Sequence, residues 1–252
     1  MNRPTIDVIL TRYRRRTTEV QIRSILQQSI KPSTMTVFQN SLRLRTRTRW
    51  LQRKGIENVV NSMNTRHFGR FAYALNLSSD FIAVLDDDVV PGPRCLESYL
   101  RQSIDFGAII GGNGRIATRN PNAASLTKPR EVGVRPEPHL VDFVGHIWVF
   151  PREALFDMFA IAPLTLETGE DMHLCFSAKL RSNIPAIAGS QASPDEFSDT
   201  TFNRMAKDRH ASHLQPSHSR RPEIEAYFEH LGLEFVQSNT PPTASPRRLD
   251  MQ

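Results

Sequence analysis

The chain has 252 residues, two cysteines and a formal net charge of +6, room for one large α/β domain or for a domain plus a decorated tail. An apolar fraction of 39% argues against wholesale disorder, and no apolar run reaches the roughly 20 residues that span a bilayer. Met1 to Asp7 leads into strand pattern without the apolar stretch of a signal peptide, so the expectation is a soluble, cytoplasmic chain.

Ile6–Leu10 reads as a first strand, and Thr11-Arg12-Tyr13 as its exit loop. Thr17 and Thr18 can cap a helix to about Gln28, with Val20, Ile25 and Leu26 on its apolar face, before Pro32 and Ser33 break it. Met35–Phe38 is a second strand ending at Gln39-Asn40, so the chain opens as strand–helix–strand, the start of a parallel sheet. Residues 41–56 fit either an exposed strand or an ordered loop, with Arg43, Arg45, Arg47 and Arg49 alternating with Leu or Thr. With Arg12, Arg14, Arg15, Arg16, Arg23, Arg53 and Arg66 they make the first third strongly basic. Such a face suits an anionic ligand, an acidic polymer or a membrane surface, leaving peripheral membrane association open. It lacks the interleaved aromatics of a nucleic-acid binder, so nucleic acid is not the expected partner.

Ile56–Val60 reads as an edge strand and Phe68–Leu75 as a helix. The stretch that follows organises the chain: Phe81-Ile-Ala-Val-Leu-Asp86-Asp87-Asp88-Val-Val-Pro91-Gly92. Five consecutive apolar residues make a strand buried on both faces, and its carboxyl end delivers three aspartates before a Pro-Gly turn. Adjacent carboxylates repel, so three of them beside a core normally answer a cation. Oxygen donors suit Mg²⁺ or Mn²⁺, which are typically bridged to phosphates.

Cys95–Ile104 continues as an amphipathic helix, and Ala108-Ile-Ile-Gly-Gly-Asn-Gly114 as a strand running into a glycine-rich structural turn. That turn is neither a P-loop nor a dinucleotide fingerprint. Residues 118–139 read as a long loop, Val141–Phe150 as a strand, and Pro151 as the start of a helix through Phe159. Glu167-Thr168-Gly169-Glu170-Asp171 opens another helix, Thr168 and Asp171 having the spacing of a capping box. Ile184–Ala188 suggests a last strand, 195–218 a mobile polar loop, Pro222–Leu233 a closing helix and 238–252 a disordered tail. Cys95 and Cys175, far apart and without metal spacing, read as reduced, buried thiols. The expected organisation is a single domain over residues 1–237, without internal repeats.

Taken together, Ile-Leu-Thr11-Arg-Tyr13, Phe-Gln-Asn40, His67-Phe-Gly-Arg70-Phe-Ala-Tyr-Ala-Leu, Asp86-Asp-Asp88, Val-Asp-Phe-Val-Gly145-His-Ile-Trp148 and Gly-Glu170-Asp171 resemble a GT-A glycosyltransferase of the family-2-like group. They are also similar to the glycosyltransferase domain of exostosin-type enzymes, and the resemblance runs over roughly residues 5–190. It implies a mainly parallel, Rossmann-like sheet flanked by helices, with a nucleotide-diphosphate-sugar donor, a UDP-sugar by expectation, over its carboxyl edge. By position, Thr11, Arg12 and Asn40 would lie at the base, where the family usually has an acid at the second strand end. Arg70 would face the nucleotide or diphosphate, and Asp86, with Asp87 beside it, the ribose. Asp88 and Asp86 would hold Mn²⁺ or Mg²⁺, with His213 as a further ligand. Asp171, with Glu170, would be the catalytic base activating an acceptor hydroxyl. Gly145, His146 and Trp148 would line the side of a carbohydrate or glycoconjugate acceptor. The resemblance leaves inversion or retention open. Two other readings stand: a nucleotidyltransferase using the same acids, and a non-catalytic basic module binding an acidic polymer.

Overall fold

In the computed structural model, which describes residues 3–13, 15, 17–40, 48–118, 127–202, 204–206 and 220–236, the first half alternates strand and helix. Strands β1 (Ile6–Arg12), β2 (Met35–Gln39), β3 (Glu57–Val60) and β4 (Phe81–Leu85) are separated by helices α1 (Thr18–Leu26), α2 (Thr48–Arg53) and α3 (Phe68–Ala74). The second half contains α4 (Cys95–Phe106), β5 (Ile109–Thr118), β6 (Thr127–Val132), β7 (His139–Val141), β8 (Phe143–Pro151), α5 (Glu153–Ala160), α6 (Glu170–Ser182), β9 (Ala186–Ala188) and α7 (Arg221–His230). All the strands join one sheet in the order β3-β2-β1-β4-β8-β5-β9-β7, with β6 paired to β5.

The expectation of a mainly parallel sheet is corrected. β3, β2, β1 and β4 are mutually parallel. β8 then runs antiparallel between β4 and β5. β6 pairs antiparallel with β5, β9 returns parallel to β5, and β7 pairs antiparallel with β9. Hydrophobicity reports that a strand is buried but not which strand lies beside it. β8, apolar along most of its length, reads the same whichever way it runs.

Alternate side chains of β4 feed two cores. Ile82 and Val84 join Phe71 of α3, Leu155 of α5, Phe176 of α6 and Phe228 of α7. Phe81, Ala83 and Leu85 join Ile22 and Ile25 of α1, Leu51 of α2 and Tyr99 of α4. The sheet is thus covered by helices on both faces, and β4 is buried between them, as its unbroken apolar run predicts. Cys95 and Cys175 are free and buried in these cores.

Several local expectations shift. In α1 the buried residues are Thr18, Gln21, Ile22, Ser24 and Ile25, whereas Val20 and Leu26 face outward. Gln21 turns inward because its amide donates to the carbonyls of Asp86 (2.6 Å) and Val89 (2.8 Å), binding the helix to the exit of β4. Residues 48–53 are helical rather than extended. Gly111, Gly112 and Gly114 lie inside β5, not in a turn. A side chain at Gly111 would collide with Val144, and one at Gly112 with Ser198, so here glycine permits close strand and loop packing. Part of the long loop expected at 118–139 is β6, while 119–126 lie outside the described residues.

Of the mobile loop expected at 195–218, residues 203 and 207–218 lie outside the described residues, and 195–200 are held by backbone hydrogen bonds. Gly92 N–H donates to the Phe197 carbonyl (2.8 Å), Arg94 N–H to that of Asp195 (2.7 Å) and Thr200 N–H to that of Val90 (2.8 Å). Residues 195–200 therefore strap the turn that follows the aspartates. The tail expected at 238–252 lies outside the described residues, and among those described no helix is long and apolar enough to cross a membrane.

Candidate active site

Parallel strands end together, and here the carboxyl ends of β1, β2 and β4 do so: Leu10 pairs with Leu85, and Arg12 with Gln39. Because β8 is antiparallel to β4, its amino-terminal part reaches the same edge, Ile147 lying opposite Leu85. Asp86 N–H donates to the carbonyl of His146 (2.9 Å). His146 has φ of 72°, a left-handed conformation that costs a non-glycine residue on the order of 1–3 kcal/mol and tends to persist at functional sites. Thr11, Arg12, Asn40, Asp86–Asp88, Gly145 and His146 are thereby gathered at one edge. Opposite them α6 begins with Glu170 and Asp171.

A single arginine joins the two sets of acids. Arg70, from α3, is 2% exposed. Its Nη1 donates to Thr11 Oγ1 (2.9 Å) and to Asp86 Oδ1, and its Nη2 to Glu170 Oε1 (3.0 Å). Its guanidinium lies over the rings of Trp148 (4.8 Å) and Phe71 (5.3 Å). Burial pushes its pKa down, but Asp86 and Glu170 outweigh that and hold it raised, so Arg70 stays charged. Arg70, expected to face the nucleotide, is buried here and ties Thr11, Asp86 and Glu170 together as a strut.

A second arginine, Arg15 in the β1–α1 connection, pairs through Nη1 with Asp87 Oδ1 and with Asp88 Oδ2 (2.9 Å). Tyr13 N–H donates to the other oxygen of Asp87 (3.3 Å), and the Thr17 hydroxyl to the Asp87 carbonyl. Burial, with Asp88 and Asp86 nearby, pushes Asp87 up to about 7 against the pull of Arg15. Asp88 is also raised, by burial and by Asp86, with Arg15 and His146 opposing.

At the start of α6, Gly169 adopts φ of 80° and no side-chain cap bond forms. The expected capping box is therefore absent, and Asp171 Oδ1 instead accepts from the N–H of Met172 (2.8 Å). Arg221, at the first position of α7, donates to Asp171 Oδ2 (2.6 Å) while lying over the Phe143 ring. Burial would raise the pKa of Asp171, but Arg221 outweighs it and holds the carboxyl below its usual value. His67 Nδ1 stands 3.8 Å from Glu170.

Other expected contacts have different roles. Asn40 is 4% exposed. Its Oδ1 accepts from Thr65 N–H and Oγ1 (both 2.8 Å), and its Nδ2 donates to Asn64 Oδ1 (2.8 Å) and the Arg66 carbonyl (2.7 Å). Only an amide can both accept and donate in this way, which explains an asparagine where the resemblance leads one to expect an acid. Arg12 Nη1 reaches Gln39 Oε1 (3.5 Å). Trp148 is 1% exposed and its indole N–H donates to the Val144 carbonyl (2.7 Å). Its ring lies against the Arg70 guanidinium, inside the protein. A side chain at Gly145 would meet nothing within 4 Å, so space is open above it. His213 lies outside the described residues. Arg15 and Arg221 had no signal in the sequence: one is lost among many arginines, the other is separated from Asp171 by about fifty positions.

Among the described residues, no group of three or more His, Cys, Asp or Glu is arranged to hold a metal ion. Asp86 and Asp88 nonetheless offer two hard-oxygen donors close enough for one to raise the pKa of the other. That set fits an ion such as Mg²⁺ or Mn²⁺ completed by phosphate and water, not one enclosed by protein ligands.

No protein-family model and no curated protein matches this chain. Solved structures do. Residues 1–349 of S. aureus TarS superpose with a TM-score of 0.53 at 15% identity, over 76% of this chain and 61% of that one. Mannosyltransferase PcManGT from Pyrobaculum calidifontis, in complex with GDP-Man and Mn²⁺, gives 0.51 at 16% identity, over 76% and 56%. The longer S. aureus TarS structure gives 0.53 at 15% identity, over 93% of this chain and 44% of that one. The match thus spans between about two fifths and three fifths of these proteins' lengths. At such identities the likeness establishes the fold: Rossmann-like and of GT-A type in general terms.

Proposed function

We propose that this protein is a metal-dependent glycosyltransferase that moves a sugar from a nucleotide-diphosphate-sugar to an acceptor hydroxyl. The observation that carries the reading is Arg70. One buried guanidinium fixes Asp86, at the end of the donor-side strand, to Glu170, beside Asp171 on the opposite side. A fold of GT-A type with two such acidic groups facing across its carboxyl edge is arranged for a donor on one side and an acceptor on the other. PcManGT, of similar fold, was solved with GDP-Man and Mn²⁺, which supports the donor class.

In this reading Asp88 and Asp86 hold Mn²⁺ or Mg²⁺, with His213 as a further ligand. The bound ion would neutralise charge on the departing nucleoside diphosphate. Thr11 and Arg12 border the nucleotide, and Asp86 and Asp87 the ribose side. Gly145, with open space above it, and His146 border the acceptor. Asp171, kept ionised by Arg221, takes the proton from the acceptor hydroxyl as its oxygen attacks the anomeric carbon. The bond from that carbon to the diphosphate oxygen breaks, and a glycosidic bond forms.

Product analysis tests this with labelled UDP- and GDP-sugars, Mn²⁺ and a panel of glycan acceptors. Free nucleoside diphosphate and a glycosylated acceptor are expected. Release of pyrophosphate would instead identify attack at phosphorus and a nucleotidyltransferase.

A further inference from the structure

We infer that Arg15 is the resident counter-ion of the metal site: it holds Asp88 while the donor is absent, and passes to the donor's diphosphate when a divalent ion takes the carboxylate. The inference rests on the donor and metal reading above and adds a residue, and an order of exchange, which that reading does not contain.

The geometry is competitive. One nitrogen, Arg15 Nη1, touches a carboxylate oxygen of both Asp87 and Asp88, so the arginine occupies one of the two carboxylates assigned to the ion. An ion coordinated to Asp88 at roughly 2 Å would bring two positive charges beside that guanidinium. With the side chains of Arg15, Asp87 and Asp88 only 9–17% exposed, such proximity is strongly unfavourable. Metal and Arg15 therefore cannot both sit on Asp88 as Arg15 does now.

Of the two arginines on the acidic turn, Arg15 is the one carried by a connection between elements, although its side chain too is only 9% exposed. Arg70 has three side-chain partners, stacks on Trp148 and is 2% exposed, so releasing it would open the core. Arg15 instead sits in a connecting loop, its N–H donating to the Tyr13 carbonyl (2.8 Å). The Asp87 carboxylate would keep the Tyr13 N–H when Arg15 departs, and its backbone carbonyl the Thr17 hydroxyl. Asp88, by contrast, is ion-paired with Arg15 among the described residues, and its loss is what an incoming cation replaces. A guanidinium forks onto phosphate as well as onto carboxylate, so the exchange conserves its pairing. It also conserves charge: the cation answers the aspartates, and Arg15 answers the diphosphate.

Mn²⁺ titration of the full chain by calorimetry tests this, using wild type, Arg15→Gln and Arg15→Lys, first without nucleotide and then with UDP or GDP. Without nucleotide, Arg15→Gln is expected to bind Mn²⁺ about tenfold more tightly than wild type, because the competing charge is gone. With Mn²⁺ present, the same variant should bind UDP or GDP about tenfold more weakly. Arg15→Lys keeps a charge without the fork and should fall between the two, which also serves if the neutral variant does not fold. Unchanged or weaker Mn²⁺ affinity in a folded variant overturns the proposal. Failure of wild type to take up Mn²⁺ even with UDP and GDP is a different result: it removes the metal and donor reading on which the proposal rests.

Discussion

The two halves of the sheet build their acids in opposite ways. On the parallel side, Asp86–Asp88 are consecutive, delivered by one strand end and answered by arginines from a loop and from α3. On the mixed side, Glu170 and Asp171 sit on a helix start and take their arginines from α3 and α7, elements far apart in sequence. Local order thus suffices to place the first group, whereas the second depends on the packing of α6 against its neighbours. Arg70 is the one described side chain that pairs with both groups, so the distance between them is set by a buried charge.

The largest effects should separate the chemistry of the two sides. Asp88→Ala and Asp171→Asn are each expected to lower transfer by about 10²–10⁴-fold. Only Asp88→Ala should abolish metal-dependent nucleotide binding, as calorimetry would read. Arg70→Met tests the strut: it strands Asp86 and Glu170 beside a core, and breaking a buried pair typically costs about 3–5 kcal/mol. Urea denaturation should report that loss, and a loss below about 1 kcal/mol would mean that solvent, not Arg70, satisfies these acids.

Effects on pH dependence are smaller and have a defined sign. The folded pKa of Asp171 is depressed, so the stabilisation from its pair with Arg221 is complete above the unfolded value of about 3.9. It is lost as pH falls through the lower, folded value. In Arg221→Gln, burial acts without its opponent, so the acid limb of kcat/KM should move to higher pH. An unmoved limb would detach Asp171 from proton transfer. Asn40→Asp replaces two donated bonds with repulsive contacts and should cost about 1–3 kcal/mol without altering base preference. Trp148→Phe removes one hydrogen bond and part of the buried ring beneath Arg70, a loss on the order of 1–3 kcal/mol, and should leave acceptor KM unchanged. A raised acceptor KM would restore the ring to the acceptor side.

The sequence revealed the parallel half well for a physical reason. Each strand there is a short apolar run closed by a loop, and β4 carries its aspartates next to the signal that identifies it. The mixed half was less legible. Nothing in the composition of β8 says that it slots between β4 and β5 in reverse, and glycines that look like a turn turned out to permit close packing in β5. The acids themselves could be picked out, but not their partners. Arg70 reads as a helix-surface cation or a ligand contact until packing shows it buried, and Arg15 is one of many arginines in its third of the chain. Trp148 and Asn40 have residue types suited to ligands, yet their hydrogen bonds are spent inside the protein.

The central claim is that the aspartate turn binds a nucleotide through a metal, and thermal unfolding against UDP, GDP and their sugars, with and without Mn²⁺, tests it most directly. A ligand that binds only the folded chain raises Tm by linkage. The expected result is a rise with one nucleotide that requires Mn²⁺ and disappears in Asp88→Ala. A rise that persists without the metal and in that variant, or no rise with any nucleotide, would contradict it.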